Sequence, residues 1–255
     1  MLTAITRAVS PAIAQCQLSF VPRLPIDVGI ARAQHHAYEE LLGSLGARVI
    51  SLPAEVDLPD SMFVEDPALV LDELAVIFPL GTEPRRPEAA SIAAALEPFR
   101  RLERVSLPGT VEGGDILRLG DRLFVGLTGR SNADGVSQLA EIVAPFGYTV
   151  VGVPVTGCLH LKSAVTALDK RTLVANRAWF DSSPLTGYDW VDVDPAEPAA
   201  ANALALSGSV VFPASFPLTR ARIEARGLPV ITLDIGELQK AEAGLTCSSL
   251  IFDAA

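Results

Sequence analysis

The chain has 255 residues, of which 49% are hydrophobic and 20% charged, so it is neither disordered nor fibrous and can bury a substantial core. Its 30 acidic residues against 20 Lys and Arg give a net charge of −10, which argues against nucleic acid as a partner and suits a cationic ligand. Apolar runs are strand-length and residues 1–9 lack a basic leader before a long apolar segment, so no membrane partner and a cytoplasmic location are expected.

In chain order, residues 3–7 read as a strand, 30–45 as a helix stopped by Gly46, and 48–52 as a second strand. A hairpin follows, 68–71 and 74–78 around Asp72-Glu73. A helix over 87–101 has Ile92, Leu96 and Phe99 on one face, and a strand at 103–107 closes the unit. The pattern recurs with the hairpin turning at Gly120-Asp121, a helix from Ser131 or Asn132 to Phe146, and a strand at 148–153. The third hairpin turns at Asp169-Lys170, with a short helical piece expected near 178–182 and a strand at 189–193. The fourth turns at Ser207-Gly208, followed by a helix over 218–226 and a strand at 229–233. Residues 250–252, set beside 3–7, supply the hairpin missing from the first unit. The outcome is five ββαβ units about 40–50 residues apart, closed into a ring by the terminal strands, in one domain over 1–255.

The polar loops fall at one place in every unit, at 57–66, 109–115, 156–163, 197–202 and 242–248, so a ring gathers them at one end of its axis. Asp60, Glu65 and Asp66 surround Phe63. They read either as a solvated turn or as a clamp for a planar guanidinium, which pairs bidentately with carboxylates. Glu112-Gly113-Gly114-Asp115 allows close approach of backbone to a ligand, or simply turns into a strand. Of three histidines, His35 and His36 lie on a helix and meet packing or solvent, whereas His160 lies in a converging loop and is the candidate general acid/base. Arg85 and Arg130 occupy equivalent places after consecutive hairpins, a plausible carboxylate clamp. Cys16, Cys158 and Cys247 are too few and scattered for a disulfide framework, and without a C-x-x-C pair a structural zinc site is disfavoured. A buried role suits Cys158. Cys247, in Ala243-Gly244-Leu245-Thr246-Cys247-Ser248-Ser249, is the candidate nucleophile.

Phe63-Val64-Glu65-Asp66-Pro67, Glu112-Gly113-Gly114-Asp115, His160-Leu161-Lys162 and Gly244-Leu245-Thr246-Cys247-Ser248-Ser249-Leu250 together resemble the guanidino-group-modifying, or pentein, superfamily, and within it the dimethylarginine dimethylaminohydrolase family. The resemblance covers nearly the whole chain. It implies a five-bladed α/β propeller, no metal or organic cofactor, and hydrolysis of N-omega-methylated arginine to citrulline plus methylamine or dimethylamine by a monomer or homodimer. It gives Cys247 as nucleophile, His160 as acid/base, Glu112 as the acid orienting it and Asp66 as the guanidinium carboxylate. Leu18 and Asp60 meet the substrate's amino-acid end, Glu65 and Phe63 lie beside it, Arg85 and Arg130 bind its carboxylate, and residues 15–25 form a lid. Alternatives are the same thiol chemistry on arginine or agmatine, a non-catalytic propeller that binds protein, or zinc held by Cys247 and His160 in an inhibited state.

Overall fold

In the computed structural model the described residues are 1–254, and Ala255, the last residue of the expected domain, lies outside them. The chain opens with β1 (Leu2–Arg7), α1 (Val28–Ser44) and β2 (Arg48–Leu52). It continues with β3 (Ala68–Val70), β4 (Leu74–Ile77), α2 (Glu88–Leu96) and β5 (Arg101–Arg104), then β6 (Ile116–Leu119), β7 (Arg122–Leu127), α3 (Ala133–Val143) and β8 (Thr149–Pro154). Next come α4 (Leu161–Ala164), β9 (Val165–Ala167), β10 (Thr172–Ala175) and β11 (Asp189–Asp192). The last stretch holds β12 (Leu204–Leu206), β13 (Ser209–Pro213), α5 (Pro217–Glu224), β14 (Val230–Leu233), α6 (Gly236–Gln239) and β15 (Leu250–Asp253).

These strands form five three-stranded sheets. In each, the middle strand pairs antiparallel with its hairpin partner and parallel with the third strand. A parallel return needs a crossover, and α1, α2, α3 and α5 supply it in four units. The middle strands are covered on both faces, so they read as continuous apolar runs such as Leu74-Ala75-Val76-Ile77, all buried. Neighbouring sheets share apolar clusters, as where Leu74, Val76, Leu123 and Val125 meet Leu139 and Val143 of α3. The ring closes as expected: β1 pairs antiparallel with β15 from Leu2↔Asp253 to Ile5↔Leu250, and the Met1 ammonium donates to the Ala254 carbonyl at 2.7 Å.

Two expected elements differ. The helix expected to reach residue 101 ends at Leu96, and β5 starts at Arg101. Pro98 has no N–H to continue the ladder, so Phe99 and Arg100 both turn back to the Leu96 carbonyl. The helical piece near 178–182 does not form. The Trp179 carbonyl is taken by Thr156 N–H, and Phe180 bridges Val155, so the backbone there is committed to the neighbouring loop. Among the described residues no helix is long and apolar enough to cross a membrane.

Candidate active site

The site is built on turns at the strand entrances. Glu112 is extended, immediately before a tight turn over Gly113–Asp115, and its side chain is fully buried. Its Oε2 lies 2.7 Å from His160 Nε2, while Oε1 accepts from Gly81 N–H at 3.0 Å and Arg130 Nη1 at 3.3 Å. Burial alone would raise the Glu112 pKa, but the His160 contact, with Arg85 and Arg130, brings it down to about 2. Burial also opposes charge on His160, yet Asp66, Asp115 and Glu112 outweigh it and lift the imidazole to about 9. The pair is therefore an imidazolium–carboxylate pair at neutral pH.

Asp115 acts one step further back. Its Oδ1 accepts from Leu161 N–H at 2.9 Å, and its Oδ2 accepts from Ser131 Oγ at 2.6 Å and Thr128 Oγ1 at 2.8 Å. It thus fixes the start of α4 directly behind His160. Cys158 is buried as expected, its thiol donating to the His160 carbonyl at 3.1 Å.

Cys247 sits in the turn Thr246–Ser248 with intermediate exposure. Gly244 N–H points at its sulfur at 3.4 Å, and Glu65 N–H donates to its carbonyl at 3.3 Å. Burial, then the charges of Glu65 and Asp66, push the thiol up to about 12, against smaller help from Gly244 N–H and Lys162. With nothing bound, Cys247 is a thiol.

Cys247 and His160 line one cavity of about 20 Å³ with Asp60, Phe63, Asp66, Arg85 and Arg130. Three of the residues singled out from the sequence stand off its walls. Glu112 lies behind His160. Leu18 packs on the apolar cluster of the first blade, while its neighbour Gln17 reaches the cavity. Glu65 does not share the clamp with Asp60 and Asp66; it lies beneath, bound by Lys162 Nζ and by Thr246 Oγ1 at 2.9 Å.

The two arginines are not equivalent. Arg85 Nε and Nη2 are held by both oxygens of Glu88 at 3.0 and 2.9 Å, and Nη1 donates to Asp66 at 2.9 Å. Arg130 spends only Nη1 on a side chain, that of Glu112. Glu88 was legible as an acid three residues after Arg85 on a helix start, but carried no separate mark in the sequence.

Residues 17–20 cross the cavity mouth. Asp60 accepts from Gln17 N–H at 3.1 Å through both oxygens, and Glu242 accepts from Ser19 and Phe20 N–H, each at 2.6 Å. Asp66, Glu112 and His160 offer atoms within 4.8 Å of one another, the only such metal-sized group among the described residues. The Arg85 guanidinium already lies against both carboxylates and the imidazole is paired with Glu112, so this group is an internal ion-pair network rather than a metal site.

A ring of five sheets with thiol, imidazole and carboxylates at one end of its axis is the arginine deiminase type of α/β propeller, and the arginine deiminase family model matches residues 53–197. The chain is 38% identical to N(G),N(G)-dimethylarginine dimethylaminohydrolase of Streptomyces coelicolor, over 97% of this chain and 95% of that one. It is 34% identical to the protein of the same name from Pseudomonas aeruginosa, over 89% and 90%. The solved structure of the Pseudomonas aeruginosa protein, a Cys-to-Ser mutant complexed with citrulline, superposes with a TM-score of 0.94 at 31% identity, covering 99% of this chain and 100% of that one. The chain belongs to the dimethylarginine dimethylaminohydrolase family.

Proposed function

We propose that this protein hydrolyses N-omega-methylated arginine to citrulline and methylamine or dimethylamine through a covalent intermediate on Cys247. The observation that carries this reading is the shared cavity: a thiol, an imidazolium backed by a buried glutamate, and the carboxylates of Asp60 and Asp66. Each has a distinct task. Asp66 pairs with the substrate guanidinium and fixes its plane. Asp60 faces the α-ammonium, and Arg130, with donors to spare, takes the α-carboxylate beside Arg85.

The guanidinium brings a positive charge to the place where Glu65 and Asp66 disfavour the thiolate, so binding itself promotes ionisation of Cys247, and the thiol proton leaves to solvent because His160 already carries its own. The thiolate attacks the guanidinium carbon. His160 gives its proton to the departing amine as the C–N bond breaks, leaving an amidino-thioether and a neutral imidazole. The imidazole then takes a proton from water, whose oxygen adds to the same carbon. Collapse of the adduct breaks the C–S bond, returns the thiolate beside the imidazolium, and releases citrulline as the remaining hydroxyl proton passes to solvent, where the free amine takes it up. Glu112 holds the ring throughout and stabilises its charged form.

We take the ring as one domain and the cytoplasm as its compartment, since all three cysteines are free, as a reducing environment keeps them. A product assay tests the function. Asymmetric dimethylarginine, monomethylarginine, arginine and agmatine are offered in parallel, with Cys247→Ser as control. Ureido product from the methylated arginines, lost in the variant, is expected. Product from arginine or agmatine alone would keep the chemistry and overturn the substrate.

A further inference from the structure

Four of the five polar loops contribute a charged or reacting side chain to the site described above, but the fourth, ending in Glu197–Asn202, contributes none of these. Its last residue, Asn202, is 8% exposed and has both N–H donors and the oxygen of its carboxamide engaged. Nδ2 donates to the Lys162 carbonyl and to Thr246 Oγ1, both at 3.1 Å, while Oδ1 accepts from Thr246 N–H at 3.1 Å. The orientation of the amide is fixed chemically, because a backbone N–H can only donate and a carbonyl can only accept.

These contacts close a circuit. Thr246 Oγ1, while accepting from Asn202, donates to Glu65 Oε2 at 2.9 Å; Glu65 binds Lys162 Nζ; and the Lys162 carbonyl returns to Asn202. Thr246 precedes Cys247, and Lys162 follows His160 by two residues. Among the described residues Asn202 is thus the one side chain that hydrogen-bonds the backbone of the nucleophile loop and of the acid/base loop at once. The nucleophile loop is moulded to it: a Cβ on Gly244 would fall 2.4–2.7 Å from its carboxamide atoms.

We infer that Asn202 is a positioning residue for the reaction, setting the distance between the Cys247 thiol and the His160 imidazole. The inference rests on the proposed roles of those two residues. Asn202 touches neither substrate nor reacting atoms, so its loss falls on the chemical step and not on binding. A displacement of about 1 Å at a reacting group costs on the order of 100-fold.

The test compares wild type with Asn202→Ala, Asn202→Asp and Gly244→Ala, using asymmetric dimethylarginine turnover and pH-dependent alkylation of Cys247 by iodoacetamide, read by mass spectrometry of its peptide. Asn202→Ala should lower kcat roughly 10- to 100-fold with KM within about threefold. Asn202→Asp keeps the acceptor for Thr246 N–H, loses both donors and adds a charge near Glu65, so its alkylation profile should move to higher pH. Gly244→Ala presses on the same amide and should reproduce the kcat loss, which covers the case where Asn202→Ala does not fold. Folded variants with near-normal kcat, or with an unmoved Asn202→Asp alkylation profile, overturn the inference. A wild-type protein inactive on dimethylarginine overturns the proposed function instead, and the alkylation profiles still decide the role of Asn202.

Discussion

Gly114 and His160 are packed so closely that a Cβ on Gly114 would fall 2.5 Å from His160 Nδ1 and 2.9 Å from Asp66 Oδ1. The second glycine of Glu112-Gly113-Gly114-Asp115 is required by this contact rather than by an unusual backbone angle. Its N–H also donates to Asp66 Oδ1 at 3.2 Å, so one residue touches both the proposed acid/base and the carboxylate proposed to bind the guanidinium. Gly114→Ala forces the imidazole, the Asp66 carboxylate or both out of place. The expected loss is on the order of 100-fold in kcat, measured by steady-state turnover at unchanged protein concentration. A variant with wild-type kcat would show that the imidazole has slack.

Glu112 and His160 give the site a pH signature. The imidazole is charged up to about 9, and its amine-protonating role is lost above that value, so the alkaline limb of kcat/KM should fall there. Glu112→Gln removes one of the negative charges that hold the proton, and the limb should move to lower pH. An unmoved limb would assign it to another group. The same shift bears on stability. The raised His160 pKa stabilises the fold fully below the unfolded value of 6.5, and that contribution is lost as pH rises through about 9. Glu112, depressed to about 2, contributes above the unfolded value of 4.5 and loses that only as pH falls through about 2.

Arg85 and Arg130 read alike in sequence and are both buried, so their separation is a matter of partners. Arg85 neutralises Asp66 and Glu88 in a dry setting, where Glu88 is already raised to about 7 by burial against the pull of Arg85. Arg85→Met leaves both acids without a counter-charge and should cost about 3–5 kcal/mol of stability, seen in urea unfolding. Arg130→Met removes one of several partners of Glu112, so it should cost less stability than Arg85→Met while raising KM for methylated arginine. Equal behaviour of the two variants would contradict this division.

The repeat was legible because it is written in local chemistry: apolar runs of strand length recur in every unit, and two-residue polar turns and helix stops in most of them. Helix α3 illustrates it, with Asn132 Oδ1 accepting from Gly135 N–H at 2.8 Å and Gly147 closing the end at φ 86°. The third crossover was misread because tertiary hydrogen bonds to Thr156 and Val155 override a weak local pattern. At the site, charged residues in converging loops could be marked, but not which carboxylate faces which cation. Glu65 and Asp66 are adjacent in the chain, yet only Asp66 lines the cavity, a distinction made by Lys162 from another blade and by Arg85 beyond the hairpin of the same one. Asn202 and Glu242 lie in polar loops marked in the sequence, but they act chiefly on the backbone of distant loops, and nothing in the sequence singled them out.

Glu242 is held at φ 58°, a conformation that non-glycine residues seldom adopt, and it uses that turn to bind Ser19 and Phe20 N–H. Its residue also lines the cavity beneath the crossing segment. A cavity of about 20 Å³ holds little more than one water molecule, far less than an arginine side chain, so the segment must part from Glu242 for substrate to enter. Charge-assisted bonds to two amides make that parting costly. Glu242→Ala removes them while leaving Asp60 to hold Gln17. Arg23 is exposed in the same segment, its guanidinium pinned to the Ala14 and Cys16 carbonyls, and a freed segment should be cut after it much faster by trypsin. KM should rise as well, because a closed segment is less favoured once substrate is bound. Unchanged cleavage after Arg23 in the variant would mean that Asp60 alone, together with packing of Leu18, holds the mouth closed.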